Sequence, residues 1–221
     1  MSGTVEPRPT TSHRRQAAIL AVFLAALAGI GIGIGIGAHF LTRGTAAALD
    51  LPEFHGQANW NAQERRAAPF TLHDHRGAVV SLDALKGTPV LLTFLDSRCR
   101  EQCPIEGSQL GTILRDIKPE ARPALLVVSV NPAGDTPASI RKAMAQWRLT
   151  GPWRWHWLRG TERDLSPVWD AYGIAVHPTT NDITHGLTLY LIDRDGFQRT
   201  GYLFPFLPNV VARDVRTLTR A

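Results

Sequence analysis

Both cysteines of the chain stand together, as Cys99-Arg-Glu-Gln-Cys103-Pro104. They fall where the apolar stretch Pro89 to Leu95 gives way to a segment with helical spacing. Four residues apart on a helix, two sulfurs share one face about a turn apart. That placement suits a disulfide and equally suits joint chelation of one metal ion. A helix N-terminus also lowers thiol pKa through its dipole and free N–H groups, and Arg98 and Arg100 would add to this. The chemistry open to the pair is therefore a structural disulfide, thiol–disulfide exchange or metal binding. A structural disulfide here closes a short loop and constrains little unfolded-chain entropy.

The elements that must position this pair follow from periodicity and punctuation. Phe70 to Leu72 and Val79 to Leu82 flank Asp74-His-Arg-Gly77, a hairpin signal. Pro89 to Leu95 and Ala124 to Val130 read as buried strands by their continuous apolar runs. Between them a helix is predicted near Pro104, with Leu110, Ile113, Leu114 and Ile117 on one face and Pro119 as its stop. Asp135-Thr136-Pro137 opens a second helix with Ile140, Met144 and Trp147 inward, so Met144 reads as packing. Trp153 to Trp157 alternates like a strand, and Thr161-x-x-Asp164 resembles a capping box before Leu165, Val168, Trp169 and Tyr172. Leu187 to Ile192 and Phe197 to Tyr202 form a hairpin, and Pro208 opens a last helix bearing Val211, Val215 and Leu218. Strands alternating with helices, then a terminal hairpin and helix, predict an α/β sandwich.

Charge and hydropathy organise the rest. The 221 residues carry a net charge of +5. Residues 1–43 hold Arg8, Arg14, Arg15 and Arg43 against Glu6, leaving 20 basic and 18 acidic residues without a like-charge block. A phosphate-tracking stripe is absent, which argues against a nucleic-acid partner. Ala17 to Ala38 is an uninterrupted run of 22 apolar residues and glycines. As a helix it spans ~33 Å, enough for a ~30 Å hydrocarbon core. The arginines before it orient the N-terminus to the cytoplasm. The expected organisation is a cytoplasmic segment over 1–16, a transmembrane anchor over 17–41, a linker over 42–66 and one domain over 67–221. A cleaved signal peptide is the alternative, with Ala46-Ala-Ala48 as its cleavage site. The glycines at 29, 33 and 37 repeat the G-x-x-x-G spacing that lets membrane helices pack closely.

Spacing sorts the redox options for the cysteines. A thioredoxin-type reductase has two residues between its cysteines, and here there are three. A thiol peroxidase of the peroxiredoxin kind carries Thr or Ser three residues before its reactive cysteine, whereas Asp96 and Arg100 hold those places. The chain instead resembles the SCO/SenC proteins, copper-handling factors for assembly of cytochrome c oxidase. The resemblance rests on Ala68-Pro-Phe-Thr-Leu72, Cys99-x3-Cys103-Pro104, Val128-Ser-Val-Asn-Pro132 with Asp135-Thr136, Trp157-Leu-Arg-Gly160, Ala171-Tyr-Gly173 and His185-x4-Tyr190-Leu-Ile-Asp193. It runs from about residue 67 to 216.

That resemblance implies a thioredoxin-like fold with a central mixed sheet and one copper ion, Cu(I) or Cu(II), held by Cys99, Cys103 and His185. Soft thiolates favour Cu(I) and an imidazole allows Cu(II), although zinc accepts the same donors. His185 is expected in a loop before the Leu187 strand, facing the cysteine turn. Asp182, three residues earlier, is a candidate outer or weak fourth donor. His73 and His75 could catch metal adventitiously, His39 falls near the membrane interface, and His156 and His177 have no evident partner. The implied function is a membrane-anchored copper metallochaperone at the inner membrane, its C-terminal domain facing the periplasm. The alternative is a thiol–disulfide oxidoreductase in which Cys99 and Cys103 reduce the cysteines of the oxidase copper site before metallation. Implied partners are the copper-site subunit of the oxidase, another periplasmic copper chaperone or thiol reductase, and the membrane through the anchor.

Overall fold

Val90-Leu-Leu-Thr-Phe-Leu95 and Ala124-Leu-Leu-Val-Val-Ser129 are buried along their whole lengths, as strands covered on both faces must be. They lie side by side and parallel at the centre of an eight-stranded sheet in the computed structural model, which describes residues 53–179 and 182–220. In chain order the strands are β1 (Ala58–Asn59), β2 (Thr71–Asp74), β3 (Val79–Ser81), β4 (Val90–Leu95) and β5 (Ala124–Ser129). They continue with β6 (Trp155–Arg159), β7 (Val176–Pro178), β8 (Ile183–His185), β9 (Thr188–Ile192) and β10 (Gln198–Leu203). The helices are α1 (Gln102–Asp116), α2 (Pro137–Gln146), α3 (Glu162–Ala171) and α4 (Pro208–Arg220). The sheet runs β1-β10-β9-β4-β5-β6-β2-β3, with β4, β5 and β6 mutually parallel and the other neighbours antiparallel. This is the expected α/β sandwich around a mixed sheet.

Side-chain alternation splits the core into two layers. Leu91, Leu95, Leu125, Val127 and Trp157 face one layer, whereas Leu92, Phe94, Leu126, Val128 and Leu158 face the other. The β4-α1-β5 and β5-α2-β6 crossovers advance in the same direction, so a common hand puts both helices on one face. Residues of α1, α2 and α4 fill that layer, and Leu165, Val168 and Trp169 of α3 fill the opposite one. Helix α1 approaches the end of α2 closely, because a Cβ on Gly107 would stand 2.5 Å from the Trp147 ring. The predicted caps are present: Thr136 accepts from the Ser139 N–H, and Thr161 with Asp164 forms a capping box.

Two expectations need correction. The linker expected over 42–66 is, from Glu53 onward, part of the domain. Phe54 is buried beneath the Arg199 guanidinium, and β1 pairs with β10. His55 donates its backbone N–H (2.8 Å) to the buried Asp214 carboxylate, which its Nδ1 also approaches to 2.6 Å. The Tyr202 hydroxyl donates to the same group at 2.7 Å. One phenylalanine and a two-residue strand are too little for a periodicity signal, so composition alone read this segment as a tether.

The second correction concerns His185, which closes β8 of a separate β7–β8 hairpin rather than lying in a loop. Strands of three residues show no measurable alternation. The segment over 1–16 and the anchor expected over 17–41 lie outside the described residues, as do Gly29, Gly33, Gly37 and His39. Among the described residues no helix is long and apolar enough to cross a membrane.

Candidate metal centre

The carboxyl ends of β4 and β5 carry the loops that build the site, where open α/β sheets commonly bind ligands. The pair does not share one helical face as the spacing suggested. Cys99 stands in the turn before α1, its N–H donating to the Asp96 carbonyl at 3.2 Å, and only Cys103 belongs to the helix. Pro104 fits the first turn of α1 because its missing N–H needs no partner there.

Buried carboxylates hold this turn. Asp96 accepts from the Arg98 N–H (2.8 Å) and from Asn131 Nδ2 (3.0 Å). Asp135 accepts from the Ser97 N–H (2.8 Å), the Ser129 hydroxyl (2.5 Å) and Trp157 Nε1 (3.1 Å). Burial pushes the Asp135 carboxyl up to about 6 against those hydrogen bonds. Loop and strand residues around β4, β5 and β6 are thereby locked into one polar cluster. Sequence reasoning used Asp135 as a helix-start signal and as part of the family resemblance, and gave it no place in holding the cysteine turn.

The two thiols are free, Cys99 partly exposed and Cys103 fully buried. A hydrogen bond from the Cys103 thiol, helped by the N–H groups of Cys103, Glu101 and Gln102, brings Cys99 down to about 5 despite its burial. Neither flanking arginine is among the principal causes, so the turn geometry outweighs them. Cys103 is pushed far up by that same hydrogen bond to Cys99, by burial and by the nearby Glu106. At neutral pH the pair is one thiolate and one thiol. Cys99 is therefore expected to alkylate with iodoacetamide with a midpoint near pH 5 in a pH series, and Cys103 to stay unreactive until the protein unfolds. A single midpoint near the ordinary thiol value of ~8.5 would show that the turn does not activate Cys99.

His185 completes the arrangement. Its Nε2 lies 3.5 Å from Cys103 Sγ, and its Nδ1 lies 3.1 Å from the Gly186 carbonyl. A carbonyl only accepts, so the proton sits on Nδ1 and the Nε2 lone pair faces the sulfur. Burial lowers the His185 pKa and keeps the ring neutral, as metal ligation requires. Donors at ~2.3 Å (S) and ~2.0 Å (N) from one ion, at a tetrahedral angle, stand about 3.5 Å apart. Cys103 and His185 already have that separation. The three donors line a cavity of about 180 Å³ together with Glu101, Asp182 and Leu187. Among the described residues no three His, Cys, Asp or Glu side chains form a ready metal cluster. Holding one ion through all three donors would require a rotation among these side chains.

Of the remaining candidates, Asp182 borders this cavity and the others fall elsewhere. His73 is exposed and His75 is buried, stacked on Trp155 at 4.4 Å. His156 does have a partner, the buried Asp74 at 3.0 Å from its Nδ1. His177 is exposed on β7, and Met144 is fully buried in the core. Asp182 is exposed, and its carboxylate accepts the Ile183 N–H at 2.8 Å. Sequence reasoning missed Glu106. This residue on α1 is fully buried, takes a 2.5 Å hydrogen bond from the Thr93 hydroxyl, and leaves Oε2 without a partner. Burial pushes its carboxyl up to about 7. Its spacing, three residues after Cys103 on the helix face shared with Leu110, was the available signal.

The SCO1/SenC family model matches residues 59–220, nearly the whole described domain. The chain belongs to the SCO1/SenC family. It is 30% identical over 140 residues to the mitochondrial SCO2 homolog of Bos taurus, a stretch that is 58% of this chain and half of the bovine protein. The SCO1/SenC domain superposes on Bradyrhizobium japonicum ScoI, solved with copper bound, with a TM-score of 0.60 at 27% identity, over 69% of this chain and 99% of that one. BsSco, a Sco-family cytochrome c oxidase assembly protein with a disulfide switch, shares the fold with a TM-score of 0.61 at 22% identity, over 74% and 96%. The fold is thus the thioredoxin-like one that these proteins share.

Proposed function

We propose that this SCO1/SenC protein is a membrane-anchored copper metallochaperone. It holds one copper ion through Cys99, Cys103 and His185 and delivers it to the binuclear copper site of cytochrome c oxidase. The observation that carries the reading is the 3.5 Å approach of His185 Nε2 to Cys103 Sγ, beside the Cys99 thiolate. The copper-bound relative supports the choice of cargo. In this reading the anchor is residues 17–41 of the inner membrane, and the domain works on the periplasmic side.

The donor set explains loading and release. Cys99 is already a thiolate, so an incoming Cu(I) displaces only the Cys103 proton, and the charge of the site is unchanged. Two soft thiolates hold Cu(I), and the neutral imidazole adds the donor that Cu(II) prefers. Three donors leave room for an incoming thiolate of the acceptor, which suits transfer.

The test titrates the full chain, reduced and anaerobic, with Cu(I) against a competing chelator. One tight equivalent and release of about one proton per copper are expected near neutral pH. His185→Ala should weaken Cu(II) far more than Cu(I). Absence of any tight site in the reduced protein overturns the proposal.

A second reading is favoured by the split thiol states themselves. The Cys99 thiolate would attack an acceptor disulfide and expel one acceptor sulfur as thiolate. Cys103, after giving up its proton, would then close on Cys99 and release the acceptor as a dithiol. In the mixed disulfide Cys99 is no longer a thiolate, so the largest cause of the raised Cys103 pKa is removed before Cys103 must ionise, and burial and Glu106 remain to oppose it. His185→Ala separates the two readings, since it leaves disulfide exchange intact and impairs copper binding.

A further inference from the structure

Among the described residues, four large apolar side chains are exposed: Val79 (65%), Ile105 (53%), Leu203 (56%) and Leu207 (65%). Val79 stands alone on β3, the outermost strand at one sheet edge. The other three gather at the end of the domain that carries the metal centre. Leu203 closes β10 opposite Thr188 of β9, which follows His185 by three residues. Phe204 donates its N–H to the Leu187 carbonyl at 3.1 Å, and Leu187 lines the cavity of Cys99, Cys103 and His185. Ile105 lies in the first turn of α1, two residues after Cys103. Helices α1 and α4 pack together, and Arg216 near the end of α4 pairs at 2.9 Å with Asp116 at the end of α1. Both helices therefore begin at the metal-centre end, α1 with Ile105 and α4 just after Leu207.

Single exposed leucines are ordinary, but an apolar patch marks a contact surface. No charged residue occurs from Thr200 to Ala212. Pro205 is exposed between the two leucines, and Phe204 is half-buried. Beneath them Phe206 is buried against Tyr202, ring centroids 6.4 Å apart, so the turn is held from inside. The Leu203 N–H donates to Gln57 Oε1 at 2.9 Å, which closes this corner of the sheet with a neutral group. Leu203 and Leu207 belong to neither core layer, and nothing in the packing accounts for their exposure.

We propose that this turn, with Leu187 and Ile105, is the docking surface for the protein that takes copper from the site, and that the partner meets it with an uncharged, apolar face beside its acceptor thiols. The inference rests on the proposed transfer function, which requires a protein at this end of the domain. Cys103 is fully buried and His185 half-buried, so an acceptor sulfur must enter through the mouth of the small cavity. A specific protein contact covers about 800 Å² on each side. The mouth of a cavity of about 180 Å³ offers far less. The contact must therefore spread over the adjoining surface, and on the Leu187 side that surface is the turn from Leu203 to Leu207. Glu101 and Asp182 also line the cavity, so the partner meets charge there and none along the turn. Covering exposed leucines releases their hydration water, and a contact made this way is insensitive to salt screening.

The test uses the full chain in phosphatidylcholine nanodiscs and the apo copper-site domain of the oxidase subunit. Serines replace that domain's copper-binding cysteines, so docking is read without transfer. Binding is expected, and it should be the same at low and high salt. The L203S/L207S double variant should bind roughly tenfold less tightly. Both side chains are exposed, so the variant should keep wild-type stability and wild-type Cu(I) affinity in chelator competition. Copper transfer from the loaded variant to the unsubstituted acceptor should slow, while transfer to a small chelator should not. No binding, equal binding by the variant, or binding abolished by salt overturns the proposal. So does an equal loss toward acceptor and chelator, which would mean damage to the metal centre. A dimer that disappears in L203S/L207S, or quenching of a Leu207→Trp variant by brominated lipid, overturns it when acceptor binding is absent, by giving the patch to a second copy or to the bilayer. If the reduced chain holds no tight copper yet still binds the acceptor through these leucines, the surface stands and only the chaperone reading falls.

Discussion

Cys103→Ala is expected to weaken Cu(I) binding by at least about a thousandfold, or about 4 kcal/mol, in an anaerobic chelator competition. The variant keeps the Cys99 sulfur and the His185 nitrogen, but it loses the soft donor already at coordination distance from the imidazole. The loss is not a folding artefact. Cys103 is fully buried, so removing one sulfur leaves a small cavity costing about 1 kcal/mol, well within the 5–15 kcal/mol typical of a domain. Cys99→Ala should lose copper similarly with a smaller stability cost, because that side chain is partly exposed. It should also let Cys103 ionise more easily, since the hydrogen bond to Cys99 is the largest cause of its raised pKa. A Cys103→Ala protein that folds and binds Cu(I) with wild-type affinity would place the site elsewhere.

The reason the cysteines were legible and the histidine's setting was not is a matter of chain length. Val90–Leu95 and Ala124–Ser129 announce themselves because a strand covered on both faces cannot carry polar residues, and they locate the turn between β4 and α1. The caps at Thr136 and Thr161 were readable because capping depends on neighbours in sequence. His185 reaches Cys103 from 82 residues away through a hairpin whose strands have three residues each, a contact that no local pattern encodes. Family resemblance supplied that residue, and geometry now supplies its tautomer. Phe54 and His55 escaped for the same reason, because their partners Arg199 and Asp214 lie far along the chain. Glu106 shows the opposite failure. A charged residue in a helix is normally assigned to the solvent face, and only the fold shows this one packed against Thr93.

Glu106 should make the protein less stable as pH rises through the weakly acidic range. Its carboxyl moves from an ordinary value of 4.5 to about 7 in the folded protein, with burial as the cause. Between those values the folded state binds more protons than the unfolded state, so unfolding free energy falls with increasing pH and levels off above about 7. A shift of that size corresponds to roughly 3 kcal/mol over the window. Glu106→Gln removes the titration while keeping an oxygen for the Thr93 hydroxyl. Its buried amide has no partner where Oε2 has none, a penalty that does not change with pH. The variant should therefore gain on the wild type steadily from about pH 5 to about pH 7 in urea unfolding, and then hold a constant difference. Asp135, raised to about 6 by burial, contributes a slope of the same sign, but it is present in both proteins and cancels in the comparison. Parallel stability curves would mean that Glu106 is ionised at all these pH values, and that the charge beneath Cys103 is permanent rather than switched off by mild acid.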